Sequence, residues 1–153
     1  MCGIVGCILK KGDVILGKSI AYHDVNVTQF GYPYGQIPGM SESFSSHPHD
    51  IELVKSALSK MGVEYKEANI YTGDQFVSSL EQLRNVNDEG FACEMEGAAV
   101  AHTASKLGVG FVVLRFISDI VGRPSQIESY AEFEEEMALK SAKICLNVLN
   151  NLD

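Results

Sequence analysis

Basic residues are scarce in this sequence of 153 residues, and that scarcity excludes one class of partner. Only 12 Lys and Arg stand against 20 Asp and Glu, which gives a formal net charge of −8 at pH 7. Apart from Lys10–Lys11, the basic residues are spread singly along the chain. Because binding to a phosphate backbone needs clustered positive charge, we predict that the protein does not bind nucleic acid.

Long hydrophobic runs are also lacking. No apolar stretch approaches the roughly 18 residues that a membrane span requires. Lys10 and Lys11 follow the short apolar N-terminus, whereas a secretory signal peptide carries its positive charges in front of the apolar region. We therefore predict a cytoplasmic protein with no membrane association.

Cysteine is sparse, and its spacing fits neither a zinc site nor a dense disulfide framework. The residues are Cys2, Cys7, Cys93 and Cys145, which we expect to be reduced thiols. A metal site at His47-Pro48-His49-Asp50 is an alternative interpretation. With no third cluster of ligands nearby, a polar loop before a helix is the better account. We expect neither a metal nor a cofactor.

The hydrophobic content of 46% is enough for a real core, and we predict one domain over residues 1–153. Helix and strand patterns alternate along the chain, which indicates a layered α/β fold. A capping box at Ser79 and Gln82 predicts one further short helix. The predicted strands are Val14–Ile20, Ala68–Thr72 and Phe111–Ile117, and the predicted helices are Pro48–Met61, Glu96–Leu107 and one that starts at Ser129 with Glu132 as its capping partner.

The predicted strand Phe111–Ile117 stops at a polar pair, Ser118 and Asp119. Its apolar, β-branched composition is typical of a parallel strand that is covered on both faces. In open α/β sheets, ligands bind outside the carboxyl ends of such strands, so this pair marks a candidate catalytic edge. A plain capping role for Asp119 is equally compatible with the strand alone.

Four segments in a fixed order identify a resemblance. They are Tyr22-His23-Asp24 with the Gly- and Pro-rich aromatic loop Phe30–Gly39, Thr72-Gly73-Asp74-Gln75-Phe76-Val77, Glu94-Met95-Glu96 and Arg115-Phe116-Ile117-Ser118-Asp119. Together they closely resemble the 5′-methylthioadenosine/S-adenosylhomocysteine nucleosidases of the nucleoside phosphorylase superfamily. The resemblance covers roughly residues 12 to 150, and four ordered motifs with compatible spacing are specific where one alone would be weak.

The resemblance implies a three-layer α/β/α sandwich with a central mixed sheet, truncated at the N-terminus. Members of the family carry a further N-terminal stretch with the first strands of the sheet and a glutamate that activates water, and this sequence has neither. Gly6 resembles a remnant of the family's Gly-rich loop and is expected to approach the substrate. Half a sheet leaves an unpaired edge, which a folded protein must cover or pair.

The implied reaction is hydrolysis of the N-glycosidic bond of an adenine thio-nucleoside. Adenine leaves readily only after a ring nitrogen is protonated, so the site needs a positioned acid. The resemblance assigns this acid to Asp119, which Ser118 orients. As the bond breaks, the sugar becomes cation-like, and the resemblance assigns Glu96 to its hydroxyls and Met95 to the space under the ribose. As an alternative, Glu94 and Glu96 are first-turn acids that complement the helix dipole.

Further residues of the substrate site follow from the same resemblance. Phe76 stacks on adenine, and the backbone of Val77 hydrogen-bonds the edge of the base. Arg115 helps to hold the attacking water beside Glu94, although an arginine in a strand would equally form a structural pair with Glu94. The residues expected to reach the pocket of a neighbouring subunit are Val27, Phe30, Tyr32 and Pro38, which makes a homodimer the expected assembly.

Three other interpretations remain open. One is a non-catalytic or partner-dependent remnant that keeps the fold and binds adenine nucleosides. A second is a purine nucleoside phosphorylase, which the thio-nucleoside character of the loop Phe30–Gly39 disfavours. A third is a class II glutamine amidotransferase, because the residues Met1–Gly6 resemble the start of that family with Cys2 as nucleophile. This last match covers only a few residues and is weak without further context.

Overall fold

The computed structural model of the chain describes residues 2–5 and 9–151. Within these residues, six strands and three α-helices are joined by loops and two short 3₁₀ helices, Thr28–Phe30 and Leu80–Leu83. The strands are β1 (Cys2–Val5), β2 (Val14–Tyr22), β3 (Phe44–Ser45), β4 (Lys66–Thr72), β5 (Phe91–Glu94) and β6 (Leu114–Ile120). The helices are α1 (Pro48–Lys60), α2 (Gly97–Leu107) and α3 (Gln126–Leu149).

The strands form one mixed sheet in the order β3-β2-β4-β5-β1-β6. Strands β2, β4 and β5 run parallel, whereas β1 pairs antiparallel with β5 and parallel with β6. Strand β2 also pairs antiparallel with β6, through Val14 opposite Phe116. Strand β6, the last in this order, therefore also pairs with β2. The sheet edge that β6 would otherwise leave open is paired in this way.

Helices cover the sheet on two sides, as the alternation of side chains along β2 allows. Ile15 packs with Ala98 and Ala101 of α2, whereas Val14 and Leu16 pack into the cluster that contains α1 and α3. Members of that second cluster from the two helices are Val54, Leu58, Phe133, Met137 and Ile144. The predicted three-layer α/β/α arrangement with a central mixed sheet is confirmed.

Several local predictions match the structure closely. Helix α1 starts at Pro48, whose missing N–H costs nothing in a first turn. The capping box forms at the start of the short helix Leu80–Leu83, where Ser79 and Gln82 bond each other's backbone N–H groups reciprocally. Helix α2 ends at Gly108, which adopts a left-handed φ of 65°. In the described part of the chain, no helix has the length and apolarity needed to cross a membrane.

The predicted bounds of β6 and the predicted start of α3 are wrong, and the sequence patterns do not predict β1, β3 or β5. Strand β6 begins at Leu114 and continues to Ile120, so Ser118 and Asp119 lie inside the strand and not beyond it. Helix α3 begins at Gln126 with Ser125 at its N-cap, which makes no side-chain capping bond, so the capping pair predicted at Ser129 does not mark the start. The earlier start has a functional consequence, because it places Gln126 at the first residue of the helix.

Candidate active site

Asp119 is a buried carboxylate that is held from both of its oxygens. The Ser118 hydroxyl donates to Oδ2 at 2.6 Å, and the Gln126 side-chain amide donates to Oδ1 at 2.7 Å. Only 2% of Asp119 is exposed. The predicted orientation by Ser118 is therefore present as a contact, and a second residue, Gln126, shares the task.

Gln126 joins Asp119 to the loop that carries Phe76 and Val77. The same Nε2 atom that bonds Asp119 also donates to the backbone carbonyl of Val77 at 2.8 Å. The amide oxygen accepts from the N–H of Gly122 at 3.1 Å. One buried side chain thus ties the first residue of α3 to strand β6 and to the loop after β4.

Phe76 lies beside this arrangement with part of its ring accessible. It is 43% exposed, and its edge meets the ring of Tyr130 on α3 at a centroid distance of 5.9 Å and an interplanar angle of 86°. Its neighbour Val77 is buried. A flat heterocycle can stack on an aromatic residue only where that residue is accessible, and Phe76 is partly exposed.

Glu94 is a second buried carboxylate, located at the end of β5 where α2 begins. It accepts hydrogen bonds from the Thr72 hydroxyl, from the backbone N–H of Gly97 at 2.7 Å and from the N–H of Glu96 at 3.0 Å. It also forms an ion pair with the guanidinium of Arg115. Burial raises the pKa of Glu94, but the Arg115 charge and these hydrogen bonds outweigh it and hold the pKa below its ordinary value.

Arg115 links this buried pair to the exposed end of the turn. Its Nη2 atom lies 3.6 Å from Oε2 of Glu96, whose side chain is 61% exposed. Met95, between the two glutamates, is exposed as well. The Glu94-Met95-Glu96 motif therefore combines one carboxylate that is fixed inside the protein with one that faces solvent.

Glu94 and Asp119 lie on β5 and β6, the two strands that flank β1. Gly3 pairs with Cys93 on β5 and with Asp119 on β6. Since β6 runs antiparallel to β2, its carboxyl end does not coincide with those of β4 and β5. Burial, followed by the negative charges of Asp119 and Glu94, raises the pKa of the Cys93 thiol to about 12.

The residues expected to reach a neighbouring subunit belong to the loop between β2 and β3. Phe30 is 78% exposed and Pro38 is exposed, whereas Val27 and Tyr32 are half-buried. Gly35 closes the loop with a left-handed φ of 88°, and a Cβ added there would lie within van der Waals overlap of the Tyr22 carbonyl. Gly6, the remaining predicted substrate contact, lies outside the described residues.

Sequence reasoning missed three residues that shape this region: Gln126, Tyr130 and Thr72. The sequence signal for Gln126 is a polar residue shortly after the Gly122-Arg123-Pro124 turn. Such a pattern is typical of an ordinary helix start. Thr72 both donates to Glu94 and accepts from the N–H of Ala98 at 2.8 Å. Its role depends on a partner 22 residues away, which no local pattern reveals.

The polar loop considered as a metal site contains a contact between a histidine and an aspartate side chain. Nδ1 of His47 lies 3.3 Å from Oδ2 of Asp50 at the start of α1. Among residues 2–5 and 9–151, no group of three or more His, Cys, Asp and Glu side chains has an arrangement that could hold a metal ion.

Comparison with known proteins gives a consistent result. The family pattern of the phosphorylase superfamily matches residues 1–150. A 5′-methylthioadenosine/S-adenosylhomocysteine nucleosidase of Bacillus velezensis is 34% identical over 148 residues, which cover 94% of this chain and 64% of the relative. The solved structure of such a nucleosidase from Neisseria meningitidis, in complex with methylthio-immucillin-A, has a TM-score of 0.88 and 36% identity, and covers 99% of this chain and 67% of that chain.

A mutant of the futalosine hydrolase of Helicobacter pylori is similar as well, with a TM-score of 0.90 and 32% identity over 99% of this chain and 66% of that one. The chain spans 64% of the length of its Bacillus velezensis relative. The family match includes all four ordered motifs between Tyr22 and Asp119, so the resemblance inferred from them is confirmed. On this evidence of sequence, motifs and fold, the chain belongs to the phosphorylase superfamily.

Proposed function

We propose that this chain provides the base- and ribose-binding part of a hydrolase that cleaves the N-glycosidic bond of adenine thio-nucleosides. The substrates are 5′-methylthioadenosine and S-adenosylhomocysteine, the compounds for which the relatives are named. The observation that carries the proposal is the position of Asp119. It is buried, held by Ser118 and Gln126, and tied to the backbone of Val77 beside the open ring of Phe76.

On the base side, adenine stacks on Phe76, and its edge meets the backbone of Val77. The Asp119 carboxyl group donates its proton to a ring nitrogen of the base. The bond between the sugar carbon and the base nitrogen then breaks, and its electron pair stays with adenine, which leaves as a neutral molecule. A positioned acid of this kind commonly contributes roughly two to four decades in rate.

On the sugar side, the carboxylate of Glu96 binds the ribose hydroxyls and Met95 lies beneath the ring. Glu96 suits this role because it is exposed and carries negative charge toward a sugar that becomes cation-like. Arg115 and Glu94 hold the turn in place and orient the attacking water, whose hydroxyl adds to the sugar carbon while its remaining proton is released.

We further propose that two copies of the chain associate through the loop between β2 and β3. The exposed Phe30 and Pro38 form an apolar surface with Val27 and Tyr32, and a surface of this kind marks an interface more often than it stays bare. In the dimer these side chains wall the alkylthio pocket of the partner. A single species with the mass of a monomer in sedimentation at micromolar concentration would contradict the association.

The test of the proposed function combines adenine titration by calorimetry with an assay of adenine release. Wild type, Asp119→Asn and the matched control Asp50→Asn, on the far helix α1, are compared with methylthioadenosine, S-adenosylhomocysteine and futalosine. Because Asp119 supplies the acid in this proposal, we expect adenine binding and release of adenine from the first two substrates. We expect Asp119→Asn to lower release at least about 100-fold and Asp50→Asn to leave it unchanged.

The result separates the hydrolase from its closest alternative. Adenine binding without release from any substrate would indicate a non-catalytic or partner-dependent adenine-binding protein. Phosphate-dependent release would instead indicate a phosphorylase. Release that is unaffected by Asp119→Asn would remove Asp119 from the role of the acid.

A further inference from the structure

Gln126 is the most completely bonded polar side chain near the base site, and the mechanism above gives it no chemical step. Its nitrogen donates to Val77 O at 2.8 Å and to Asp119 Oδ1 at 2.7 Å, and its oxygen accepts from Gly122 N–H at 3.1 Å. Only 5% of the residue is exposed. The two acceptors of its nitrogen are the same two groups that the proposed function assigns to the base.

The chemistry of the bridging nitrogen is informative. A carboxamide NH₂ is planar, is attached to a trigonal carbon and presents two N–H donors about 120° apart. The exocyclic amine of a 6-amino purine has the same planarity and the same two donors. A nitrogen that donates at once to a backbone carbonyl and to the acid of the base site therefore stands where such an amine would stand.

We propose that Gln126 occupies the position of the purine amino group in the ligand-free protein and leaves it when a 6-amino purine binds. This inference rests on the proposed function, because it takes Val77 and Asp119 as the partners of the base. The incoming amine remakes the two hydrogen bonds that Gln126 gives up. The bond to Gly122 N–H has no counterpart on the base and is exchanged for water.

The proposal assigns two properties to one residue. Without a ligand, Gln126 satisfies buried acceptors that would otherwise lack a donor, and a buried acceptor without a donor is costly. With a ligand, it acts as a competitor, because the binding-competent state is only the fraction of molecules in which its side chain has moved away. Removing the side chain should therefore weaken the free protein and strengthen base binding, two effects of opposite sign.

The main experiment measures adenine affinity by calorimetry and the thermal midpoint of the free 153-residue chain for wild type and Gln126→Ala. We expect adenine to bind about tenfold more tightly to Gln126→Ala, while the midpoint of the free protein falls. Purine, which lacks the amino group and therefore does not compete with Gln126 for that position, should gain much less. Lys143→Ala, at an exposed position of the same helix, should change neither quantity.

Two further measurements keep the test decisive. Gln126→Met keeps the length of the side chain without its hydrogen bonds, so it should also bind adenine more tightly, which separates lost bonds from an enlarged cavity. In the wild type, the side-chain NH₂ signals of Gln126 in a ¹⁵N correlation spectrum should shift to solvent-exposed positions when adenine is saturating.

The outcomes distinguish this inference from the proposed function. If adenine binds the wild type but binds Gln126→Ala equally or more weakly, Gln126 holds the site in its bound form and the inference is wrong while the function stands. If adenine binds Gln126→Ala alone, the inference is supported in its strongest form. If adenine binds neither, the base site itself is wrong, and both proposals fall.

Discussion

Glu94 and Asp119 are two buried carboxylates on either side of β1, and they are held in different ways. Glu94 is bonded by a charged guanidinium, a hydroxyl and two N–H groups at the start of α2. Asp119 accepts from a hydroxyl and a side-chain amide, both neutral. The difference indicates a division of labour. Positive charge fixes Glu94 as a structural anion, whereas Asp119 is positioned by two neutral donors.

The largest expected effect on stability comes from neutralising the anion that Arg115 holds. We expect Glu94→Gln to lower the free energy of unfolding by about 2–3 kcal/mol, because it leaves a largely buried guanidinium without its close partner. Asp119→Asn should cost only about 1 kcal/mol, since both of its donors are neutral. Urea denaturation of the two variants measures the contrast, and equal losses would remove the distinction between the two carboxylates.

A hydroxyl beside each carboxylate sharpens the comparison further. Thr72 is buried and serves two partners, so Thr72→Val removes one hydrogen bond from Glu94 and the side-chain acceptor of the Ala98 N–H, and it should cost about 2 kcal/mol. Ser118→Ala removes one neutral donor to Asp119 and should cost about 1 kcal/mol. Thr72→Val and Ser118→Ala are compared by thermal unfolding at one pH. A larger loss for Ser118→Ala would contradict the proposed ranking.

The pH dependence of stability tests the charge state of Glu94 directly. Its pKa in the folded protein lies below the ordinary value of 4.5, so the unfolded chain binds the proton first as the pH falls. The contribution of Glu94 is therefore complete above pH 4.5 and is lost as the pH falls through its lower folded pKa. We expect the stability difference between wild type and Glu94→Gln to be constant near neutral pH and to shrink in acid. A difference that grew in acid would reverse the sign and refute this account.

The smallest effect concerns Cys93, which lies near both carboxylates. Burial and the two negative charges raise the pKa of its thiol to about 12, so the reactive thiolate is suppressed. Cys145 on α3 is exposed. We expect iodoacetamide at pH 8 to modify Cys145 in the native protein and Cys93 only after unfolding, as measured on separated peptides by mass spectrometry. Equal rates at the two positions would show that the strand opens readily.

The sequence predicted local structure well where a proline, a glycine or the capping box at Ser79 marks the end of a helix. Pro48 and Gly108 punctuate their helices as expected, and the reciprocal bonds of Ser79 and Gln82 form at the short helix. The family motifs identified the superfamily because they are short segments whose order survives divergence. The family motifs assign Asp119, Ser118 and Val77 to the site. In the structure, Gln126 joins Asp119 to Val77, and none of the motifs includes Gln126.

What the sequence did not predict depends on distant partners. The Gln126 side chain donates hydrogen bonds to Asp119 and to Val77, and Val77 lies 49 residues earlier in the chain. Strand β5 is only four residues long, too short for a periodic signal. The composition of Phe111–Ile117 predicts a parallel strand, whereas β6 runs parallel to β1 but antiparallel to β2. Strand direction depends on the assembled sheet and cannot be predicted from the sequence of a single strand.

The pairing of β2 with β6 also has a consequence for folding during synthesis. In the finished fold, Val14, Ile15 and Leu16 are paired with β6, yet the ribosome completes β6 long after β2 has emerged. Until then, this apolar stretch has one bare edge on which another nascent chain can pair. The exposure of β2 to aggregation is therefore confined to synthesis and refolding, and it ends when the last strand closes the sheet.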